Sequence, residues 1–172
     1  MAKTYWITGY SGAGKTTVGT ELLMLLKKRE ISCVLLDGDK MRKVFGNDLG
    51  YTREDRLKSA MRFSRLCEFL TSSGIDVVCC TISMFNEVRK WNRANIHEYV
   101  EVYLKVPDEI LHQRDQKGLY SSVALGMSEN VVGQDLKLEE PESPDIVIIN
   151  DGSVSAICAA EMILNGDSYY GE

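Results

Sequence analysis

The stretch Gly9-Tyr10-Ser11-Gly12-Ala13-Gly14-Lys15-Thr16 decides the fold, because it fits the phosphate-binding pattern G-x-x-x-x-G-K-S/T at every fixed position. The residues before it, TYWIT at 4–8, are β-branched or aromatic, as in a buried strand. The residues after it, 18–30, carry apolar side chains at helical spacing. A strand, a glycine loop and a helix are the context that this pattern requires, so a chance glycine-rich turn is the weaker alternative.

The chemistry of this loop predicts a site for a nucleoside triphosphate and Mg²⁺. Glycines let successive backbone N–H groups point inward as an anion nest, and the helix that starts near Lys15 adds its positive end. We expect Lys15 to reach the β- and γ-phosphates and the Thr16 hydroxyl to bind Mg²⁺. The predicted nucleotide-binding residues are Gly9, Ser11, Gly12, Ala13, Gly14, Lys15, Thr16 and Thr17.

Length and composition favour a single globular domain. The chain has 172 residues, with 44% hydrophobic and 26% charged residues, and one domain takes about 150 residues. The net charge of −5 argues against a general nucleic-acid surface. No apolar run reaches the roughly 18 residues of a membrane helix, and no signal peptide is visible at the N-terminus.

The five cysteines predict a reducing compartment. They are odd in number and stand in apolar settings, so we expect them to be reduced and buried in a cytoplasmic protein. The adjacent Cys79 and Cys80 should face opposite sides of a strand. A metal site is disfavoured, because no C-x-x-C spacing occurs and His97 and His112 stand alone.

Strands and helices alternate along the sequence. The apolar runs predict strands at 4–8, 31–36, 75–82, 100–106 and 145–149. The periodic segments predict helices at 15–30, 41–45, 52–72, 86–99, 108–115 and 153–164. This alternation predicts one α/β domain over residues 1–172, with a doubly wound, parallel, five-stranded sheet of the P-loop NTPase type. The long connection at about 116–142 is expected to form a short lid.

Two carboxylates follow the second predicted strand, where ligands bind in parallel sheets. Asp37 and Asp39 could hold Mg²⁺ through water or accept a proton from an acceptor hydroxyl. Asp39 could also be a helix N-cap, and both roles can hold at once. Arg42 and Arg56 are candidates for an anionic acceptor group, although a solvated helix face is equally open from the residues alone. The chain has no N-K-x-D motif, which favours a small kinase over a GTPase.

Several segments together resemble the adenylyl-sulfate kinase family. They are WITGYSGAGKTT at 6–17, LLDGDKMR at 35–42, DLGYTREDR at 48–56, Ile82-Ser83, and RDQKGLY at 114–120. The similarity covers nearly the whole chain in order. It implies transfer of the γ-phosphate of ATP to the ribose 3′-hydroxyl of a nucleotide, and the family's frequent dimers imply a homodimer.

The resemblance also implies residue roles. It makes Asp39 the base or metal partner, Tyr51 the ring that stacks on the acceptor base, and Arg114 and Lys117 cations that neutralise nucleotide phosphates. The catalytic set is Lys15, Asp39 and Ser83, and Arg114 joins the ATP-binding residues. The acceptor-binding set is Asp37, Asp39, Arg42, Tyr51, Arg56, Ser59, Ile82, Ser83, Lys117 and Leu119.

The sequence departs from the family pattern around the acceptor. Ser59 stands where the family usually has Asn, Met84 replaces a proline, and Val131 replaces an aromatic residue of the lid. The acceptor is therefore expected to be either adenylyl sulfate or a modified nucleotide such as cytidine diphosphoramidate, which family relatives in bacterial capsule pathways phosphorylate. A kinase for a small metabolite such as gluconate or shikimate, and a nucleotide-binding regulator without turnover, are the alternatives.

Overall fold

Five parallel strands form one sheet in the computed structural model, which describes residues 1–114 and 138–171. The strands are β1 (Thr4–Thr8), β2 (Cys33–Asp37), β3 (Asp76–Cys80), β4 (Tyr99–Lys105) and β5 (Ile146–Ile149). Their spatial order is β2-β3-β1-β4-β5. The chain adds strands on one side of β1 before it crosses to the other, so β1 lies at the switch point where such sheets bind ligands. The predicted doubly wound α/β sheet is confirmed.

Helices cover both faces of this sheet. They are α1 (Lys15–Lys28), α2 (Gly38–Val44), α3 (Arg53–Ser72), α4 (Asn86–Asn95), α5 (Asp108–Gln113) and α6 (Ala156–Asn165). On one face α1 and α6 pack against Tyr5 and Ile7 of β1. On the other face α3 and α4 pack against Trp6. Alternate residues of β1 therefore anchor two separate cores, and the strand that enters the phosphate loop is buried throughout.

Several element boundaries differ from the sequence prediction, and those of α2, α4 and β3 lie near the site described below. Helix α2 begins at Gly38 rather than residue 41, because the Asp37 carboxylate accepts a hydrogen bond from the Lys40 backbone N–H at 3.1 Å and caps the helix. The cap is thus Asp37, not Asp39. Helix α4 ends at Asn95, because Ile96 is extended and the chain enters β4 at Tyr99. Strand β3 ends at Cys80, two residues before the end that the sequence predicts at residue 82.

The cysteines are all free thiols in the structure. Cys79 and Cys80 lie in the cores on opposite faces of the sheet, as predicted. The expectation that every cysteine is buried is wrong for Cys158, which is exposed on α6 beside the buried Ala159 and Ala160, and Cys33 is only half-buried. Among the described residues, no helix is both long and apolar enough to cross a membrane.

Candidate active site

Two adjoining pockets lie at the carboxyl ends of β1, β2 and β3. The first, which we call the triphosphate pocket, is lined by the phosphate loop, the start of α1 and Asp37. The second, the acceptor pocket, is lined by residues of α2, α3 and the segment after β3. Four residues line both pockets: Gly38, Asp39, Thr81 and Ile82. The pockets therefore share one edge, and Asp39 is the ionisable side chain on it.

The phosphate loop has the backbone that its glycines predict. Gly14 is the N-cap of α1 with a φ of +88°, a left-handed conformation that favours glycine. A Cβ atom at Gly9 would lie 2.4 Å from the carbonyl oxygen of Leu104 on β4, so only glycine permits this approach. Ala13 is fully buried beneath the loop. The loop is thus fixed against the sheet before any ligand binds.

Lys15 and Thr16 extend from the start of α1 into the triphosphate pocket. The Lys15 ammonium donates to the carbonyl oxygens of Gly9 and Tyr10, at 2.9 and 2.7 Å. The Thr16 hydroxyl donates to Oδ2 of Asp37 at 2.6 Å. A hydroxyl beside a carboxylate fits the oxygen ligands that Mg²⁺ prefers. The arrangement can therefore offer a cation and a metal-binding pair to the same triphosphate.

Asp37 and Asp39 have different surroundings although one residue separates them. Asp37 is buried, caps α2 and accepts from Thr16. Asp39 is exposed in the first turn of α2, on the shared edge of the pockets. Asp37 therefore lies beside Thr16 in the triphosphate pocket, and Asp39 lies on the edge that the two pockets share.

The thiol of Cys80 also lies at the triphosphate pocket. Its Sγ donates to the Lys15 carbonyl oxygen at 3.2 Å. Burial raises the pKa of this thiol to about 12, and the nearby Lys15 opposes the change. Cys80 is therefore a protonated packing group beneath α1 rather than a nucleophile.

Tyr51 stands between two arginines in the acceptor pocket. The guanidinium carbons of Arg42 and Arg56 lie 4.3 and 5.3 Å from its ring centroid. The arginines also hold the loop backbone, because Arg42 donates to the carbonyls of Leu49 and Gly50 and Arg56 Nε donates to that of Tyr51 at 2.9 Å. Tyr51 as a whole residue is 57% exposed. The pocket thus offers a largely exposed aromatic residue with two positive charges against its ring.

Ser59 and Ser83 line the same pocket. Ser83 has a φ of +22°, which non-glycine residues rarely adopt. Its hydroxyl is 2.6 Å from that of Thr81, and the carbonyl of Ile82 accepts from Thr8. Met84, at the family's proline position, is fully buried. The segment after β3 therefore has a fixed, strained backbone that presents Ser83 to the acceptor pocket.

Arg114 lies beside the phosphate loop. A Cβ atom at Gly12 would be 3.9 Å from Arg114 Cβ, and one at Gly152 would be 3.8 Å from Arg114 Nη2. Of the predicted site residues, Lys117 and Leu119 lie outside the described residues, as does most of the predicted lid at 116–142. The other predicted residues all line or adjoin the two pockets.

The sequence analysis missed the segment after β5. Asn150 donates from Nδ2 to the Ala13 carbonyl oxygen at 2.9 Å, and Gly152 faces Arg114. The carboxyl end of a fifth parallel strand, followed by Asn-Asp-Gly, is a signal that could have identified it. This segment closes the side of the phosphate loop that lies away from the acceptor pocket.

Comparison with known proteins agrees with this geometry. A sequence model described as adenylylsulphate kinase matches residues 1–149. The chain belongs to the adenylylsulphate kinase family. As a member of that family it is a phosphotransferase that acts on a hydroxyl group, as its named relatives also indicate.

Similar proteins carry two different names within the family. Cytidine diphosphoramidate kinase of Campylobacter jejuni is 40% identical over 145 residues, which are 84% of each chain. Adenylyl-sulfate kinase of Halothermothrix orenii is 38% identical over 160 residues, 93% of this chain and 86% of that protein. The solved APS kinase of Mycobacterium tuberculosis, in complex with AMPPNP and APS, is 30% identical with a TM-score of 0.89 over 96% of each chain.

Proposed function

We propose that this chain transfers the γ-phosphate of ATP to the ribose 3′-hydroxyl of a nucleotide that carries a modified diphosphate. The observation that carries this proposal is the shared edge of the two pockets. An acceptor seated against Tyr51 and a triphosphate seated on the loop would meet at Asp39. In-line phosphoryl transfer needs that proximity more than it needs covalent chemistry.

The proposed roles follow from the position of each group. Lys15 and the loop N–H groups neutralise the charge on the transferring phosphoryl group, and Arg114 binds the nucleotide phosphates. Thr16 and Asp37 would hold Mg²⁺, which supplies further charge neutralisation when bound. Asp39 accepts the proton of the acceptor hydroxyl.

The acceptor contacts are assigned in the same way. Tyr51 stacks on the acceptor base, Arg42 and Arg56 pair with its anionic groups, and Ser83 hydrogen-bonds it at the shared edge. Ser59 and Ile82 complete the wall. Lys117 and Leu119 are proposed acceptor contacts from the family motif alone.

We favour cytidine diphosphoramidate as the acceptor. A short Ser59 hydroxyl stands where the family usually has an asparagine side chain, and Tyr51 is the one strongly exposed ring among the described residues of the pocket. Val131 stands where the family has an aromatic residue in the lid, and the loss of one stacking ring weakens binding of a base by about 1–3 kcal/mol. A large purine depends most on such stacking. The 40% identity with a cytidine diphosphoramidate kinase supports the smaller base. Adenylyl sulfate is the second candidate, since the relative from Halothermothrix orenii is named adenylyl-sulfate kinase.

A steady-state assay with purified protein separates the two acceptors. Release of ADP is measured with MgATP and either cytidine diphosphoramidate, adenylyl sulfate or CDP, and ³¹P NMR locates the new phosphate on the ribose. We expect the highest kcat/KM with cytidine diphosphoramidate. A high kcat/KM for adenylyl sulfate with no turnover of the cytidine compound would overturn the choice of acceptor but not the kinase reaction.

We further propose that the protein works in the cytoplasm as a homodimer. The reduced cysteines favour the compartment. Size-exclusion chromatography with light scattering measures the mass of the protein in solution. A monomer mass at micromolar concentration would contradict the dimer.

A further inference from the structure

The described residues 138–140 contact both sides of the active site. Leu138 lines the acceptor pocket. The two residues that follow it bind different parts of the site through their carboxylates. Glu139 binds the start of α4, and Glu140 binds Tyr10 of the phosphate loop.

Glu139 completes the start of α4. The N-cap of this helix is Phe85, whose side chain cannot accept a hydrogen bond, so the first N–H groups need another acceptor. Glu139 Oε2 accepts from the Asn86 N–H at 2.5 Å, and the Glu139 N–H donates to the Met84 carbonyl oxygen at 3.1 Å. Arg53 lies 3.7 Å from the other carboxylate oxygen. Glu139 therefore fixes both residues that flank Phe85, immediately after the strained Ser83.

Glu140 connects the same helix to the phosphate loop. Its carboxylate accepts from the Tyr10 hydroxyl at 3.0 Å, and its carbonyl oxygen accepts from Arg89 Nη2 at 3.2 Å. Arg89 is buried on α4 and lies 3.5 Å from the buried Glu101 of β4. The carbonyl of Tyr10 is an acceptor of the Lys15 ammonium. A line of contacts thus runs from the sheet through Arg89 and Glu140 to the loop that holds Lys15.

We propose that Glu139 and Glu140 are positioning residues, which fix the acceptor pocket and the triphosphate pocket relative to each other. Glu139 holds the 83–86 turn, and so the Ser83 hydroxyl, against the acceptor. Glu140 holds Tyr10, and so the loop under the triphosphate. Neither Glu139 nor Glu140 lines the triphosphate pocket or the acceptor pocket. This inference rests on the proposed function, because it assigns the two pockets to two substrates.

Four variants of the full chain test the proposal. Glu139→Ala removes the helix cap, and Glu139→Gln keeps an oxygen that can accept from Asn86. Tyr10→Phe removes one hydroxyl from the Glu140 contact without touching the glutamate. Glu142→Ala, at an exposed position of the same segment, is the matched control. For each variant, kcat and KM are measured for ATP and for the acceptor, with the Kd of MgATP from calorimetry and the Tm from a thermal melt.

The expected pattern divides by substrate. Glu139→Ala lowers kcat/KM for the acceptor about tenfold or more, because a hydrogen bond to a charged group is lost, while the Kd of MgATP stays within about twofold. Glu139→Gln recovers most of that loss. Tyr10→Phe raises the Kd of MgATP by about threefold to tenfold and leaves the acceptor KM near its wild-type value.

Other patterns overturn the proposal. One is a Glu139→Ala variant with a lower Tm and unchanged kinetics, which would make the residue structural only. Another is equal weakening of both substrates by Glu139→Ala. Failure of the proposed function is distinguishable, because wild-type protein and Glu142→Ala would then phosphorylate neither nucleotide acceptor. The calorimetric Kd for Tyr10→Phe remains informative in that case, since it requires no acceptor.

Discussion

Thr16 Oγ1 donates a hydrogen bond of 2.6 Å to Oδ2 of Asp37, which joins the first helix to the end of β2. The same carboxylate caps α2 through the Lys40 N–H. Asp37 thus has a structural contact and a predicted metal-binding contact, and the two can be separated by experiment.

Replacement of Asp37 by asparagine should change the metal requirement and leave the fold intact. Asparagine is as good an N-cap as aspartate and can still accept from Thr16, but it lacks the negative charge. We expect the Mg²⁺ concentration for half-maximal activity to rise about tenfold, with a Tm close to that of the wild type. An unchanged magnesium titration would show that Asp37 only caps the helix.

Removal of the Lys15 ammonium should abolish most turnover. In Lys15→Ala the transferring phosphoryl group loses its main protein cation, and loss of one such stabilising group costs about 10²- to 10³-fold in kcat. Stopped-flow or coupled-enzyme assays measure kcat, and circular dichroism checks the fold. A nearly normal kcat in a folded Lys15→Ala protein would mean that the loop is not catalytic.

Asp39→Asn should lower kcat far more than it weakens ATP binding. The side chain lies on the edge shared by both pockets, where it is placed to accept the proton of the acceptor hydroxyl. We expect a loss of about 10²-fold or more in kcat, with the calorimetric Kd of MgATP within about threefold of the wild type. If the loss is confined to ATP binding, Asp39 belongs to the metal side of the site.

Gly19 on α1 should tolerate no side chain while Cys80 is present. A Cβ atom there would lie 2.3 Å from Cys80 Sγ and 3.3 Å from side-chain carbons of Leu35 and Val78. Such overpacking costs about 1–3 kcal/mol, which outweighs the helix propensity gained by alanine, at most about 1 kcal/mol. Urea denaturation of Gly19→Ala, Cys80→Ala and the double variant measures the coupling. The double variant should be more stable than the sum of the single changes predicts, and strict additivity would contradict the contact.

Thiol titration should distinguish the exposed Cys158 from the buried Cys67, Cys79 and Cys80 and from the half-buried Cys33, whose pKa is also raised by burial. Cys158 is exposed, whereas burial raises the pKa of Cys80 to about 12 and also raises the pKa of Cys79. The thiolate is the reactive form, so a raised pKa keeps Cys80 protonated and slow at every pH below about 12. With a disulfide reagent at pH 8, we expect one fast thiol in native protein and five after denaturation. If the disulfide reagent rapidly inactivates a Cys158→Ser variant, a thiol other than Cys158 reacts at the site, which would contradict the buried, protonated state of Cys80.

The sequence predicted the sheet, because the strands are short and mostly apolar and each connection between them contains a segment with helical periodicity. It predicted the phosphate loop, because that motif is contiguous. The family resemblance also named Arg42, Tyr51, Arg56, Ser59 and Ser83, which the structure brings to one pocket, while their roles toward an acceptor stay predictions. The sequence misplaced the α2 cap, since Asp37 and Asp39 are both good caps and only the three-dimensional register of β2 decides between them. It could not predict the contacts of Glu139, because the helix that it caps begins more than fifty positions earlier and no local pattern connects the two.

The two pockets adjoin at one edge, where the same four residues line both of them. A single molecule with a nucleoside at each end of one polyphosphate chain could therefore occupy donor and acceptor positions together. Such a compound would compete with both substrates at once and would profit from the high local concentration of its second end. If the two pockets hold donor and acceptor as proposed, the edge that they share also makes the protein open to inhibition by a covalently joined analogue of the two reactants.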